Sequence, residues 1–221
     1  MSKSVGIRFI VVMIIMMIPL MGCINISSSQ EFSSSELHFE GFSQKMLNEI
    51  SKLSTGEVQY LTKSEFADID KNKYKILKFE VKYENRLDIL KQLKSKYKNT
   101  EYQFFYTRLS VNKSPELVCV LKSADKYDIL RAFVTNGTNY DIDTEQIINK
   151  LTEWDKKYGI DIIGADGDWV EAKFDKLPQD TRKFAEEVYK FCPDAVEQNT
   201  GSIEALEYYI KTDKSVFLWW D

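Results

Sequence analysis

Carboxylates in the C-terminal half of the chain have the clearest potential for chemistry. Asp166, Asp168 and Glu171 flank Trp169. Paired carboxylates can serve as acid and base in glycoside cleavage, and a nearby indole could stack on a sugar. Positions 168 and 171 of a strand point to opposite faces, however, and packing explains the tryptophan better. A hydrolase or sugar-binding module that uses Asp166 to Glu171 is therefore the alternative hypothesis, and no catalytic residue is assigned.

A second acidic group, Asp141, Asp143 and Glu145, could join Asp166 and Asp168 in holding calcium, which prefers clustered oxygen ligands. An EF-hand loop needs a glycine directly after its third acidic position, but a glutamine follows Glu145. Asp143 is also predicted to cap a helix, and aspartate is favoured in turns. No metal ligand is predicted.

The sequence lacks the residues that nucleophilic catalysis and cofactor binding usually require. Catalysis by Cys192 would need a base and a positive environment, but the single histidine, His38, lies far away in sequence and Asp194 has the wrong charge. The nine glycines form no phosphate-binding loop. Cys119 lies in an apolar segment, so two buried thiols are favoured over a disulfide. No cofactor is predicted.

The C-terminal sequence Leu218-Trp219-Trp220-Asp221 has two interpretations. It can be a final strand whose alternating indoles pack against helices on either side. It can also be an aromatic patch that recognises a partner, because tryptophan is enriched at binding hot spots. The candidate partner or ligand surface comprises Asp166, Asp168, Trp169, Glu171, Asp194, Trp219 and Trp220.

The N-terminus has the pattern of an exported precursor. Lys3 and Arg8 precede an uncharged apolar run from Phe9 to Leu20, which is shorter than the roughly 20 residues that span a bilayer. The run closes with Leu20-Met21-Gly22-Cys23, which resembles the bacterial lipobox. This resemblance implies cleavage before Cys23 and attachment of fatty chains such as palmitate to its sulfur. We therefore expect residues 1–22 to be a lipoprotein signal peptide.

Lipid on Cys23 would place the protein in the cell envelope. Two fatty chains anchor far more firmly than one, and the Ser-rich residues 23–39 are typical of a flexible tether. We expect the domain to face outside the cytoplasm, on the cell membrane or the outer membrane. Ile24, in place of aspartate, favours the outer membrane in a two-membrane cell.

The negative net charge of the chain argues against nucleic acid as a binding partner. Removal of Lys3 and Arg8 with the signal peptide leaves 28 basic and 34 acidic residues, a net charge of −6. Nucleic-acid binding needs a clustered basic surface, whereas the lysines between Lys71 and Lys98 alternate with acidic residues. Nucleic acid is therefore not an expected partner.

Apolar periodicity predicts a series of helices and strands. Helices are expected at about 42–53, 85–97, 125–133, 143–158, 178–191 and 202–210. Strands are expected at about 75–81, 102–111, 116–122, 160–164, 169–174 and 216–221. We predict an α+β fold with mostly antiparallel sheet, helices on one face, and two related small lobes as one arrangement. The proposed division is an N-terminal α+β region at 40–135 and a C-terminal α+β domain at 136–221.

Several uncommon aromatic segments of the C-terminal half resemble a bacterial family, the domain of unknown function 4253. They are Thr138-Asn139-Tyr140-Asp141, Leu151-Thr152-Glu153-Trp154, Asp168-Trp169-Val170-Glu171, Phe191-Cys192-Pro193-Asp194 and Leu218-Trp219-Trp220-Asp221. The resemblance covers about residues 140–221 and implies no activity, cofactor or catalytic residue. Together with the export signal and the acidic charge, it favours a non-enzymatic, membrane-anchored domain that binds another protein, for example an immunity-type domain.

Overall fold

The computed structural model describes residues 38–61, 73–107 and 115–220. Cys23, the predicted signal peptide, the predicted tether except its last two residues, and Asp221 lie outside the described residues. Among those that are described, no helix has the length and apolarity needed to cross a membrane.

A single sheet of seven strands runs through the described residues in the order β1-β2-β4-β3-β5-β6-β7. The strands are β1 (Gln59–Tyr60), β2 (Ile76–Val81), β3 (Tyr102–Thr107), β4 (Glu116–Lys122), β5 (Ile160–Ala165), β6 (Trp169–Phe174) and β7 (Ser215–Trp219). Neighbouring strands are antiparallel except β3 and β5, which run parallel and meet at Tyr106 and Gly164. The predicted α+β fold with mostly antiparallel sheet is confirmed, and the two halves of the chain share one sheet.

Helices cover both faces of this sheet. They are α1 (Gln44–Leu53), α2 (Arg86–Lys96), α3 (Asp128–Phe133), α4 (Thr144–Tyr158), α5 (Thr181–Phe191) and α6 (Ile203–Asp213), with a π-helix at Ala195–Thr200. Val118 and Val120 of β4 pack with α1 and α2, whereas Cys119 packs with α3 to α6. The prediction of helices on one face differs from this arrangement because β4 is buried at six of its seven positions, so both of its faces need cover.

Local sequence signals set the limits of the longest helix. Asp143 accepts a hydrogen bond from the backbone N–H of Gln146 at 2.8 Å, and the Gln146 side chain accepts one from the Asp143 N–H at 2.8 Å, which completes the predicted capping box. Gly159 ends α4 with a φ of 63°, a conformation that favours glycine. The Asp143 carboxylate is therefore engaged in capping.

The strand directions show which chain segments lie at each end of the sheet. Because β3 and β5 are parallel, they begin at the same end, where β4 and β6 finish. Tyr102 begins β3, and its hydroxyl accepts a hydrogen bond from the Ser43 N–H at 2.9 Å while its ring stacks with Phe42 at 6.0 Å. The first described residues of the chain therefore lie at this end, the tether end. The opposite end, where β6 begins and β7 finishes, is the distal end.

The parallel joint between β3 and β5 depends on a residue without a side chain. A Cβ atom on Gly164 would lie 2.6 Å from two ring carbons of Tyr106 and 2.8 Å from Trp169. Such distances are far shorter than van der Waals contact. The backbone at Gly164 cannot move away easily, because it is paired with β3 on one side and with β6 on the other. Glycine at position 164 thus lets Tyr106 lie flat across the joint.

We predict that Gly164→Ala lowers the free energy of unfolding by about 1–3 kcal/mol, because the added methyl group overpacks the joint. Gly167→Ala is the matched control, since the nearest atom to its Cβ would be 4.0 Å away, and a change within about 0.5 kcal/mol is expected. Urea denaturation followed by circular dichroism measures both. Equal stability of the two variants would contradict the close approach.

Candidate functional site

The structure divides the seven predicted surface residues between two places. Asp166, Asp168, Asp194, Trp219 and Trp220 gather at the distal end, whereas Trp169 and Glu171 face the α1–α2 side of the sheet. Trp169, Glu171, Asp194 and Trp220 are 4%, 9%, 2% and 3% exposed. These four therefore supply no exposed contact area, because each is drawn into packing or a buried hydrogen bond. Burial of Trp169 and Trp220 agrees with the packing interpretation of these tryptophans, whereas burial of Glu171 and Asp194 was not expected.

Backbone and side-chain hydrogen bonds tie four separate segments together at the distal end. The Trp220 N–H donates to the Asp168 carbonyl at 3.0 Å, and the Asn136 N–H donates to the Gly167 carbonyl at 2.9 Å. The Cys192 thiol donates to the Trp219 carbonyl at 3.1 Å. The loop at 135–142, the turn at 166–168, the end of α5 and the end of β7 thus converge.

The aspartates of the 166–168 turn have different surroundings. The Asp166 carboxylate accepts hydrogen bonds from the Thr107 hydroxyl at 3.0 Å and from the Gly167 N–H at 2.8 Å. Asp168 is exposed and accepts a hydrogen bond from the Trp219 indole N–H at 3.2 Å. Asp166 therefore holds the turn, and Asp168 presents its charge to solvent.

Asp194 supports an exposed tyrosine from below. The Tyr140 hydroxyl donates to the buried Asp194 carboxylate at 2.7 Å, and the Tyr140 side chain is 38% exposed. This hydrogen bond, with burial and the nearby charge, raises the pKa of Tyr140 to about 12. Tyr140 is thus held as a neutral hydrogen-bond donor beside Asp141, which is exposed.

The two terminal indoles point to opposite faces, as the strand interpretation predicts. Trp220 packs edge-on against Phe191 of α5 at 5.9 Å, and a Cβ on Gly137 would lie 2.8 Å from its ring. Trp219 packs on the α1–α2 side and is half-buried. Trp219 is therefore the terminal indole that solvent can reach.

We call four solvent-accessible side chains at this end the distal patch; they are the exposed Tyr140, Asp141 and Asp168 and the half-buried Trp219. The patch carries two carboxylates and two aromatic rings with a hydrogen-bonding edge. Its chemistry suits contacts with a surface that is basic and partly apolar.

Glu171 lies in a different network, which sequence reasoning missed. Its carboxylate accepts hydrogen bonds from the hydroxyls of Ser215 at 3.1 Å, Tyr209 at 3.2 Å and Tyr106. Burial, followed by the charge of Glu171, raises the pKa of both Tyr106 and Tyr209, so both hydroxyls stay protonated. A carboxylate with three hydroxyl donors is fully engaged and acts as a structural anchor between β6, β7 and β3.

An arginine lies above the Tyr106 ring in the same region. The Arg86 guanidinium is 4.0 Å from the ring centroid, and its Nη1 atom is 3.2 Å from an oxygen of buried Glu116. The only sequence signal for this region was Glu171 itself, a carboxylate within the apolar strand Trp169–Phe174. Its partners are 38 to 65 residues away in sequence, so the pattern could not identify them.

The four candidate carboxylates therefore do not form an acid–base pair. Glu171 faces the α1–α2 side, whereas Asp194 lies beneath Tyr140 beside the core of α3 to α6. Cys119 and Cys192 are buried free thiols, and burial raises the pKa of Cys192 to about 11, which disfavours a thiolate nucleophile. Among the residues that the structure describes, no three His, Cys, Asp or Glu side chains form a group that could hold a metal ion.

Comparison with known families identifies the C-terminal half. Residues 117–221 match the family described as Domain of unknown function (DUF4253), a segment that begins at β4, earlier than the resemblance from about residue 140 indicated. No curated protein and no solved structure matches the chain. Four of the five segments that carry the resemblance meet at the distal end, and residues 117–221 of this chain are a DUF4253 domain.

Proposed function

We propose that this chain is a membrane-anchored envelope lipoprotein whose α+β domain binds another protein. The anchoring half of the proposal rests on sequence. Two basic residues, an uncharged apolar run and Cys23 follow one another in the order expected of a lipoprotein precursor. The anchor would hold the domain outside the cytoplasm.

The binding half rests on one observation: the candidate carboxylates Asp166, Asp194 and Glu171 serve the fold, whereas the distal patch is open to solvent. Asp166 holds a turn, Asp194 supports Tyr140, and Glu171 joins three strands. Tyrosine and tryptophan contribute a large share of binding energy at protein interfaces, and exposed carboxylates attract a basic partner.

An immunity-type protein is one specific form of this proposal. Such a protein would neutralise a toxin outside the cytoplasm by covering a basic part of its surface. The net charge of −6 on the processed chain and the carboxylates of the distal patch support a basic partner. The alternative of a hydrolase or sugar-binding module at Asp166 to Glu171 gains no support from the geometry, because Glu171 and Asp168 belong to different surroundings.

We predict that Cys23→Ser abolishes membrane attachment, because the sulfur that takes lipid is lost. Bacteria that express the full chain are labelled with radioactive palmitate and fractionated. The wild-type product should carry label and sediment with membranes, whereas the variant should be unlabelled and released. Cys119→Ala is the control and should be labelled and sediment like wild type, since that thiol is buried and alanine leaves no polar atom in the core. Equal membrane attachment of Cys23→Ser and wild type would contradict the anchor.

We predict that removal of two charges from the distal patch weakens partner binding about tenfold, since each exposed interface charge contributes modestly. The variant is Asp141→Asn with Asp168→Asn, which preserves side-chain shape. Asp175→Asn with Asp213→Asn makes the same charge change on exposed residues at the tether end. The probe is the Cys23→Ser chain from residue 23, incubated with native membrane proteins of the source bacterium.

Bound proteins are quantified by mass spectrometry at increasing salt. We expect one partner to be captured by the probe with an unchanged distal patch and by the Asp175/Asp213 control. The same partner should be lost from the Asp141/Asp168 variant. Capture of the same proteins in the same amounts by all three chains would remove the distal patch from the proposal.

A further inference from the structure

Three lysines at the tether end surround a hollow between α4 and α5. Lys157, Lys176 and Lys183 line it together with Tyr158 and Phe184 and other residues, and its volume is about 540 Å³. All three lysines are exposed. We call these three residues the tether-end lysines.

Three nearby lysines are paired with carboxylates, whereas the tether-end lysines are not. Lys94 lies 2.8 Å from Asp161, Lys126 lies 2.7 Å from Asp155, and Lys150 lies 2.8 Å from Glu153. Within residues 38–61, 73–107 and 115–220, Lys157, Lys176 and Lys183 make no such ion pair. Their positive charges are available to an external anion.

The acidic residues that share the hollow are occupied within the fold. Asp180 caps α5 by accepting a hydrogen bond from the Lys183 N–H at 2.9 Å. Glu187 accepts one from the Trp154 indole N–H at 2.8 Å. Asp175 is exposed directly before Lys176. Three lysines and two carboxylates line the hollow, and Glu187 also lies 3.7 Å from Lys150, so the surface around the hollow keeps a small positive excess on a chain whose net charge is negative.

The position of this surface relates it to the anchor. Tyr158 ends α4 directly before β5 begins, and Lys176 follows the end of β6, so both lie at the tether end. Residues 38–43 lie at the same end through the contacts of Tyr102 with Phe42 and Ser43. Fifteen residue steps separate Cys23 from His38, a distance of at most about 50 Å.

We infer that the tether-end lysines contact anionic phospholipid headgroups of the membrane that holds the anchor. The inference rests on the proposed lipid attachment at Cys23, which keeps this end close to the bilayer. Lysine ammonium groups gain from the negative potential of an anionic leaflet. Contact at the tether end directs the distal patch away from the membrane, where it can meet a protein partner.

The test uses the Cys23→Ser chain from residue 23, which retains the single compact unit at residues 36–221 and carries no lipid. Sedimentation with vesicles of phosphatidylcholine alone, or mixed with about one third phosphatidylglycerol, measures binding. With its lysines unchanged, this chain should bind the anionic vesicles and not the neutral ones, and added salt should reduce binding.

The triple change Lys157→Gln, Lys176→Gln and Lys183→Gln should reduce binding to anionic vesicles at least about tenfold. The matched control is Lys52→Gln, Lys82→Gln and Lys190→Gln, which removes three exposed lysines away from the tether end and should reduce binding less than about twofold. Thermal melting by circular dichroism checks that both variants fold.

Three results would overturn the inference: equal binding to neutral and anionic vesicles, equal losses in the two triple variants, or displacement by inorganic phosphate at constant ionic strength. The last would indicate a site for a single phosphate instead of a membrane surface. Because this chain carries no lipid, failure here is distinct from a failure of Cys23 to take palmitate.

Discussion

Strand β3 is the element on which the rest of the sheet depends. It lies between β4 and β5 and makes the one parallel contact among the described strands. The DUF4253 match begins at residue 117 and leaves β3 out. In the sheet, however, β3 lies between β4 and β5 of the matched segment. Residues 102–107 fill the space between them, and Tyr106 reaches across Gly164 to Glu171. The N-terminal half therefore completes the core of the C-terminal domain.

The continuous sheet also places the two proposed functional surfaces at opposite ends of the molecule. Because the sheet is continuous, the position where the chain enters at Phe42 and the position of the terminal tryptophans are fixed at opposite ends. The tether-end lysines lie at the first end, and the distal patch lies at the second. A lipid-anchored domain with this polarity would place its acidic, aromatic end toward other proteins, which is how the proposed anchor and the proposed binding surface fit one molecule.

Sequence patterns predicted most elements well where the signal was local. The limits of β4 and β6 and the capping of α4 by Asp143 agree with the structure, because apolar strand patterns and capping boxes act over a few residues. β1 was missed, since two residues carry no periodicity. The contact of Tyr106 with Glu171 was missed because it joins side chains 65 residues apart on β3 and β6, which β5 separates. Helices on both faces were missed because no local signal shows which face of the sheet a given helix covers. Trp169 as a core residue was predicted, whereas the burial of Glu171 by three hydroxyl groups was not.

If the two halves form one folding unit, the C-terminal half should not fold alone, and a comparison of two chains measures this. Residues 36–221 and residues 115–221 are produced separately and examined by two-dimensional amide NMR and urea denaturation. We expect dispersed resonances and one cooperative transition for the longer chain. The shorter chain should give collapsed resonances and no cooperative transition, because β4 and β5 would lack β3. A well-dispersed spectrum and a cooperative transition for residues 115–221 alone would contradict it.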